Sequence, residues 1–226
     1  MIHTVIFDVG GTLVHARSIF DSLAARLTVE ANGELATFQK ARFLELYRDE
    51  NPKNFLMVRE IIAIILRESA RKFGVADLSA EAHNLYSQTY IDNAELFDDV
   101  RPVLKKLREI GCKMIVASDA DADVLERELN KFDIKSYFGH VVVSSDIGAY
   151  KPFDKMVEAI KAVCDRPFSD ILFVGDNRVD VLAARKMSAR PVLIGRNGAF
   201  PIDAEFQITG LDEIIELIEN INKGEL

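Results

Sequence analysis

The chain has 226 residues, 49% of them hydrophobic, and a formal net charge of −8. That is enough apolar material to bury a sizeable core, as one domain or as a domain with an insert. An acidic balance with both signs of charge spread along the chain excludes a phosphate-tracking nucleic-acid binder, which carries a basic face, yet it allows small phosphorylated substrates, because a site can be locally positive on an acidic protein.

Residues 2–7 (IHTVIF) are rich in β-branched and aromatic side chains and run into Asp8 and the Gly10-Gly11 pair. This predicts a buried strand ending in a sharp loop. The opening apolar run is too short for a secretory signal and lacks a basic leader, so a cytoplasmic protein is expected. From about Arg17 to Phe97 no strand pattern occurs. Helices are expected over 19–27, 34–48, 55–73 and 79–93, punctuated by Asn51-Pro52 and Phe73-Gly74. The densest apolar patch, IIAIIL at 61–66, is flanked by Arg59, Glu60, Arg67 and Glu68. It falls far short of the ~20 apolar residues of a membrane span and reads as a buried helix.

Beyond residue 97 the pattern alternates. A helix over 100–110 has apolar positions at Val103, Leu104, Leu107 and Ile110 and stops at Gly111. Strands are expected at 113–117, 140–143, 170–174 and 191–194, with a weaker one at 205–208. Helices are expected at 121–132, 153–164, 180–187 and 211–222, the last docked on the sheet by its apolar face. Such alternation implies parallel strands with crossover helices, and unbroken apolar runs fit a sheet covered on both faces. The expected architecture is α/β: a doubly wound parallel sheet over 1–16 and 98–226, with an all-helical second lobe inserted at 17–97. Cys112 and Cys164 stand far apart in no metal-ligand spacing and read as small buried hydrophobes of a reducing compartment.

In an open parallel sheet, ligands bind outside the carboxyl ends of the strands. The polar residues that follow the first four runs are Asp8, then Ser118 and Asp119, then, through a loop, Lys151, then Asp176 with Asp180 one turn on. Singly, each is an ordinary turn, cap or surface residue. Together they bring carboxylates, a hydroxyl and a lysine to one edge. An aspartate there can attack phosphorus and form an aspartyl-phosphate, provided that the repulsion between anions is offset. One Mg²⁺, which prefers oxygen ligands, together with Lys151 would balance the three charges of Asp8, Asp176 and Asp180. Ser118 and the backbone N–H groups of the Gly10–Thr12 turn can donate to phosphate oxygens.

Four segments carry a resemblance: VIFDVGGTLV at 5–14, MIVAS at 114–118, the lysine of GAYKPFD at 148–154, and ILFVGDNRVDVLAARKM at 171–187. In that order they resemble the haloacid dehalogenase-like (HAD) hydrolase superfamily and span about four-fifths of the chain. The resemblance implies a Rossmann-like core and a helical cap, 17–97, that closes over the site. It implies that Asp8 is nucleophile and Mg²⁺ ligand, that Asp176 is a second ligand, and that Gly10 offers its backbone carbonyl. Asp180 would orient metal waters and Lys151. Ser118, Asp119, Lys151, Gly11 and Thr12 would bind the phosphoryl group.

One position departs from the family's phosphatases, which carry a second aspartate two residues after the nucleophile to protonate the leaving group. Here it is Gly10. His15, Asp119 or a cap residue are candidates for the missing acid. Three readings follow: a Mg²⁺-dependent phosphoester hydrolase; a 2-haloacid dehalogenase, which needs neither that acid nor a metal and could cradle its substrate carboxylate with Arg17 and Lys151; and a non-catalytic phosphate binder. The expected partner is a small phosphorylated or halogenated metabolite, without nucleic acid or membrane, on a monomer or homodimer.

Overall fold

A computed structural model of the chain describes residues 1–15, 19–28, 32–47 and 54–226. Arg17, Asn51-Pro52 and the end of the helix expected over 34–48 lie outside them. In chain order the strands are β1 (Thr4–Phe7), β2 (Val14–His15), β3 (Glu95–Leu96), β4 (Lys113–Ser118), β5 (His140–Val143), β6 (Ile171–Gly175), β7 (Arg190–Ile194) and β8 (Phe206–Ile208). The helices before β3 are α1 (Ile19–Leu27), α2 (Asn32–Tyr47), α3 (Val58–Phe73) and α4 (Ala82–Asn93). Those after it are α5 (Val100–Glu109), α6 (Ala122–Lys131), α7 (Ser144–Ile147), α8 (Asp154–Ala162), α9 (Arg178–Met187) and α10 (Glu213–Lys223).

Six strands form one sheet in the order β5-β4-β1-β6-β7-β8, and every neighbouring pair is parallel. All four residues of β1 are buried, as are all five of β6, because helices cover the sheet and leave no polar face to alternate with. The edge strand β5 is the exception: His140 and Val141 are exposed and only Val142 and Val143 are buried. The chain leaves β1 toward β4 and β5, then returns to β6 on the other side of β1. That reversal is the switch point where the loops diverge and open a crevice. Phe7 pairs with Val116 on one side and Val174 on the other, so Asp8 emerges among the ends of all three central strands. The core beneath it includes Ile6, Ile115, Phe173, Met156, Ile160 and Met187.

The residues divide into two compact units: Met1–His15, Glu95–Asp119 and Leu129–Leu226 in one, and Ala16–Ala94 with Ala120–Glu128 in the other. The second is helical. Its core joins Phe20, Leu23, Leu35, Ile61, Ile62, Ile65, Leu66 and Tyr86 with Val124 of α6. The IIAIIL patch thus supplies four fully buried side chains at helical spacing. The helix expected from residue 55 begins instead at Val58, where Glu60 caps it locally by accepting the Met57 N–H at 2.8 Å and a distant carboxylate completes the cap. The N–H groups of Val58 and Arg59 both donate to the Asp121 carboxylate at 3.0 Å, and Arg59 Nε donates to it at 2.9 Å. A carboxylate with 0% exposure thereby satisfies two orphan donors of the first turn and meets the positive end of the helix dipole.

In the first unit, β2 and β3 pair antiparallel, Val14 opposite Leu96 and His15 opposite Glu95, at the two ends of the helical insertion. Each is two residues long, too short to show a period, which is why no strand is expected there from sequence. Among the described residues no helix is long and apolar enough to cross a membrane. Both cysteines are free thiols; burial pushes their pKa values up, Cys164 to about 11 with help from Asp165, so neither is an activated nucleophile.

Candidate active site

At the carboxyl edge of the sheet Lys151 is the centre of the arrangement. Its side chain is 1% exposed, and its Nζ donates to Asp8 Oδ1 at 2.7 Å, Asp180 Oδ1 at 2.7 Å and the Ala117 carbonyl at 2.9 Å. An ammonium has three hydrogens, and all three are used. The lysine is held in turn by its own backbone N–H, which donates to both oxygens of Asp119 at 3.0 and 3.3 Å. Asp180, in the first turn of α9, spends its second oxygen on the Asn177 N–H at 3.1 Å. The Asn177 side chain caps the same helix by accepting from the Arg178 N–H at 2.8 Å. Asp8 is tied to β6 by its N–H, which donates to the Val174 carbonyl at 2.9 Å.

Two glycines let these carboxylates approach the backbone. A Cβ on Gly175 would lie 2.3 Å from Asp180 Cγ, and one on Gly11 would lie 2.3 Å from Asp176 Oδ2. Gly11 also has φ +81°, so backbone and space both demand glycine there. The result is a cluster in which Asp8, Asp176 and Asp180 each offer an oxygen, all within 4.8 Å of one another.

Such crowding has an electrostatic consequence. Burial, together with the charges of Asp180 and Asp176, raises the Asp8 pKa well above the usual carboxylate range despite the opposing pull of Lys151. Burial and Asp180 push Asp176 up to about 6, again against Lys151. Burial alone would lower the Lys151 pKa, but Asp180, Asp8 and Asp119 outweigh it and keep the ammonium charged. Among the described residues, the three carboxylates of the cluster outnumber the one cation, Lys151, that touches them.

Asp8, Lys151, Asp176 and Asp180 of the expected set are therefore in one cluster, with Asp119 supporting Lys151 from behind. Ser118 is buried at the end of β4, in register with Val143. The N–H groups of Gly11 and Thr12 close on the loop itself, donating to Val14 O at 2.8 Å and Val9 O at 3.2 Å. Within this loop the N–H groups of Val9 and Gly10 make no hydrogen bond to a described residue. His15 is exposed in the β2–β3 pair, with its ring edge-on to Phe97 at 5.4 Å. Arg17 lies outside the described residues.

One residue beside the site was absent from the expected set. Arg196 follows Gly195 at the end of β7 and donates from Nη2 and Nε to the Thr12 carbonyl at 2.6 and 3.2 Å. Reading polar residues after the fifth strand as well as the first four would have found it.

Known proteins share the sequence pattern and the fold. The sequence model of the haloacid dehalogenase-like hydrolases matches residues 2–187. The chain is 27% identical over 220 residues to a phosphoglycolate phosphatase of Pseudomonas fluorescens, covering 95% of this chain and 78% of that one. It is 21% identical over 219 residues to the (S)-2-haloacid dehalogenase of Pseudomonas sp. strain YL, covering 95% and 94%. The magnesium-bound crystal structure of the HAD-family protein YfnB from Bacillus subtilis shares the fold with a TM-score of 0.80 at 15% identity, over 96% of this chain and 99% of that one. With a family match that runs from the strand before Asp8 through the helix that carries Asp180, this chain belongs to the haloacid dehalogenase-like hydrolases.

Proposed function

We propose that this hydrolase cleaves phosphoesters of small metabolites with Mg²⁺ bound, through an aspartyl-phosphate at Asp8. The observation that carries the proposal is Asp176, a third carboxylate brought against Asp8 and Asp180 and, among the described residues, in no ion pair. Displacement of a halide from carbon has no use for it. A cluster of hard oxygen donors in which burial and mutual repulsion raise the pKa values of Asp8 and Asp176 is the donor set that a hard divalent cation fits. Asp8, Asp176 and the Gly10 carbonyl would hold the ion, with Asp180 behind them. When bound, it offsets carboxylate charge and polarises the phosphoryl oxygens.

The chain's own residues would then act as follows. An Asp8 oxygen attacks phosphorus, the bond to the leaving oxygen breaks, and that oxygen departs with the bonding pair. Water next attacks the same phosphorus, giving inorganic phosphate and restoring the Asp8 carboxylate. Ser118 and the N–H groups of Val9 and Gly10 donate to the phosphoryl oxygens; a contact from Lys151 would exchange one of its present partners. The inserted helical unit would serve as the cap that selects the substrate.

No side-chain acid stands at Gly10 to protonate the leaving oxygen. Turnover should therefore fall steeply as the leaving group becomes more basic, with aryl phosphates exceeding alkyl phosphates by about 10²-fold or more. Gly10 is not among the glycines with positive φ, so its backbone accepts a side chain. Gly10→Asp is expected to speed alkyl phosphates about 10–10²-fold and flatten the leaving-group dependence. Initial rates on a graded series check this; an unchanged slope in the variant would show that another group supplies the proton.

A metal held by these carboxylates also makes stability depend on pH. The folded pKa values of Asp8 and Asp176 lie above the ordinary aspartate value near 4, so their contribution to metal-free stability is lost as pH rises through about 6 and beyond. Magnesium should restore it. At a hundredfold excess over Kd the gain is about 2.7 kcal/mol, or roughly 5–10 °C in Tm at pH 7.5. Thermal melts with Mg²⁺ against chelator should show less than half that shift at pH 5, and an equal shift at both pH values would place the ion elsewhere.

Gly10 favours a second reading, 2-haloacid dehalogenation, in which a halide leaves without an acid. The Asp119 and Asp176 carboxylates weigh against it by repelling a substrate carboxylate. A screen of phosphate release from small phosphomonoesters and halide release from 2-haloacids, with and without Mg²⁺ and with Asp8→Asn as blank, separates the readings. Metal-independent halide release would replace the first reading by the second; inertness on both panels with phosphate still bound would leave a non-catalytic binder.

A further inference from the structure

We infer that Arg196 is a positioning residue that braces the nucleophile loop, and that turnover depends on this brace; its effect on turnover rests on the phosphoester-hydrolase reading above. The loop Asp8–Val14 folds on itself through N–H bonds from Thr12, Leu13 and Val14 to the Val9 carbonyl and from Gly11 to Val14. Those bonds give the loop its shape but do not anchor it to the rest of the sheet edge. The Thr12 carbonyl supplies an anchor. It is four residues from Asp8 and next to Gly11, whose close approach to Asp176 leaves no slack. Arg196 takes this carbonyl with two donors, Nη2 at 2.6 Å and Nε at 3.2 Å.

The guanidinium is itself fixed on its other sides. Its Nη1 donates to Asp99 Oδ2 at 2.5 Å, and its plane lies 4.0 Å over the Phe97 ring. Asp99 Oδ2 also accepts the Leu211 N–H at 2.7 Å, just before α10, and the Phe97 N–H donates to the Leu13 carbonyl at 3.1 Å. Arg196 therefore joins three separate chain segments to the loop that carries the nucleophile. A planar fork with fixed donor directions does this where a lysine cannot. Loop N–H groups that meet a phosphoryl transition state must be held to a fraction of an ångström, and a misplacement of about 1 Å costs on the order of 10²-fold in rate. Arg196 reaches no reacting atom; it acts through Thr12.

The test reads the loop directly as well as turnover. In Arg196→Met, amide hydrogen exchange at Gly11–Val14 should accelerate about tenfold or more while β6 and α5 keep their protection. With p-nitrophenyl phosphate and saturating Mg²⁺, kcat should fall about 10- to 100-fold with KM within about threefold, and Arg196→Lys should lie between this variant and the parent. Because Arg196→Met strands the Asp99 carboxylate, the double variant Arg196→Gln, Asp99→Asn removes both charges and should show the same loop exchange with less loss of Tm. Unchanged exchange at Gly11–Val14 overturns the brace. Faster exchange with unchanged kcat overturns its part in turnover. A parent protein no more active than Asp8→Asn defeats the hydrolase reading instead, and the exchange result still decides the brace.

Discussion

Asp8→Asn is expected to lower Mg²⁺-dependent phosphate release by at least about 10³-fold while leaving the fold intact. The amide has the shape of the carboxylate but not its nucleophilic oxygen, and loss of a covalent nucleophile removes a whole reaction path rather than one contact. The fold should survive because the substitution has opposing effects. It weakens the charge-assisted bond from Lys151 Nζ at 2.7 Å, and it relieves repulsion from Asp176 and Asp180, which already hold the Asp8 pKa high. Melting within about 3 °C of the parent protein is the expected result. Rapid acid quenching with labelled substrate adds a direct check: label should stay on the denatured parent chain at Asp8 and be missing from the variant. More than about a tenth of parental activity in the variant would remove Asp8 from the role of nucleophile.

Lys151→Met should be the more damaging change to the protein itself. It removes the cation that, among the described residues, touches Asp8 and Asp180, and leaves buried carboxylates facing each other. Breaking a buried ion pair from one side costs about 3–5 kcal/mol, which corresponds to roughly 6–20 °C in Tm at this chain length. The defect should grow with pH, since at pH 5 the carboxyl groups with raised pKa values are partly neutral and repel less. Adding Asp180→Asn should recover part of the loss, because the two side chains form one network and their effects do not add. Turnover should drop about 10³-fold or more even at temperatures where the variant is folded. Melts of parent, single and double variants at pH 5 and pH 7.5 carry the test; a single variant within about 2 °C of the parent at pH 7.5 would mean that the cluster does not depend on its lysine.

Much of this site was legible in the sequence because its residues follow strands whose signals are local. A run such as ILFVG needs no partner to declare itself, and the residue after it is placed at the sheet edge by the fold class alone. Asp8, Ser118, Asp176 and Asp180 were reached in this way. So were the buried IIAIIL helix and the arrest of α5 at Gly111, which has φ +79°. Lys151 was reached only by following the chain past β5, where α7 stands in place of the expected loop. The state of the loop N–H groups was not legible. Glycines after Asp8 announce a tight loop, but which N–H groups it spends on itself depends on how it closes, and it spends those of Gly11 and Thr12 rather than those of Val9 and Gly10.

By itself, then, the sequence determined the α/β core, the helical insertion and the row of reactive groups around Asp8, since hydrophobic period and turn chemistry act over a few residues. Only the tertiary structure decided what holds those groups still. Asp121 completes the cap of α3 from 63 positions away, Gly11 is glycine because Asp176 lies against it, and Arg196 grips a carbonyl 184 positions earlier in the chain. Contacts between residues that distant leave no local pattern, because each partner taken alone is an ordinary loop residue until folding brings the other beside it.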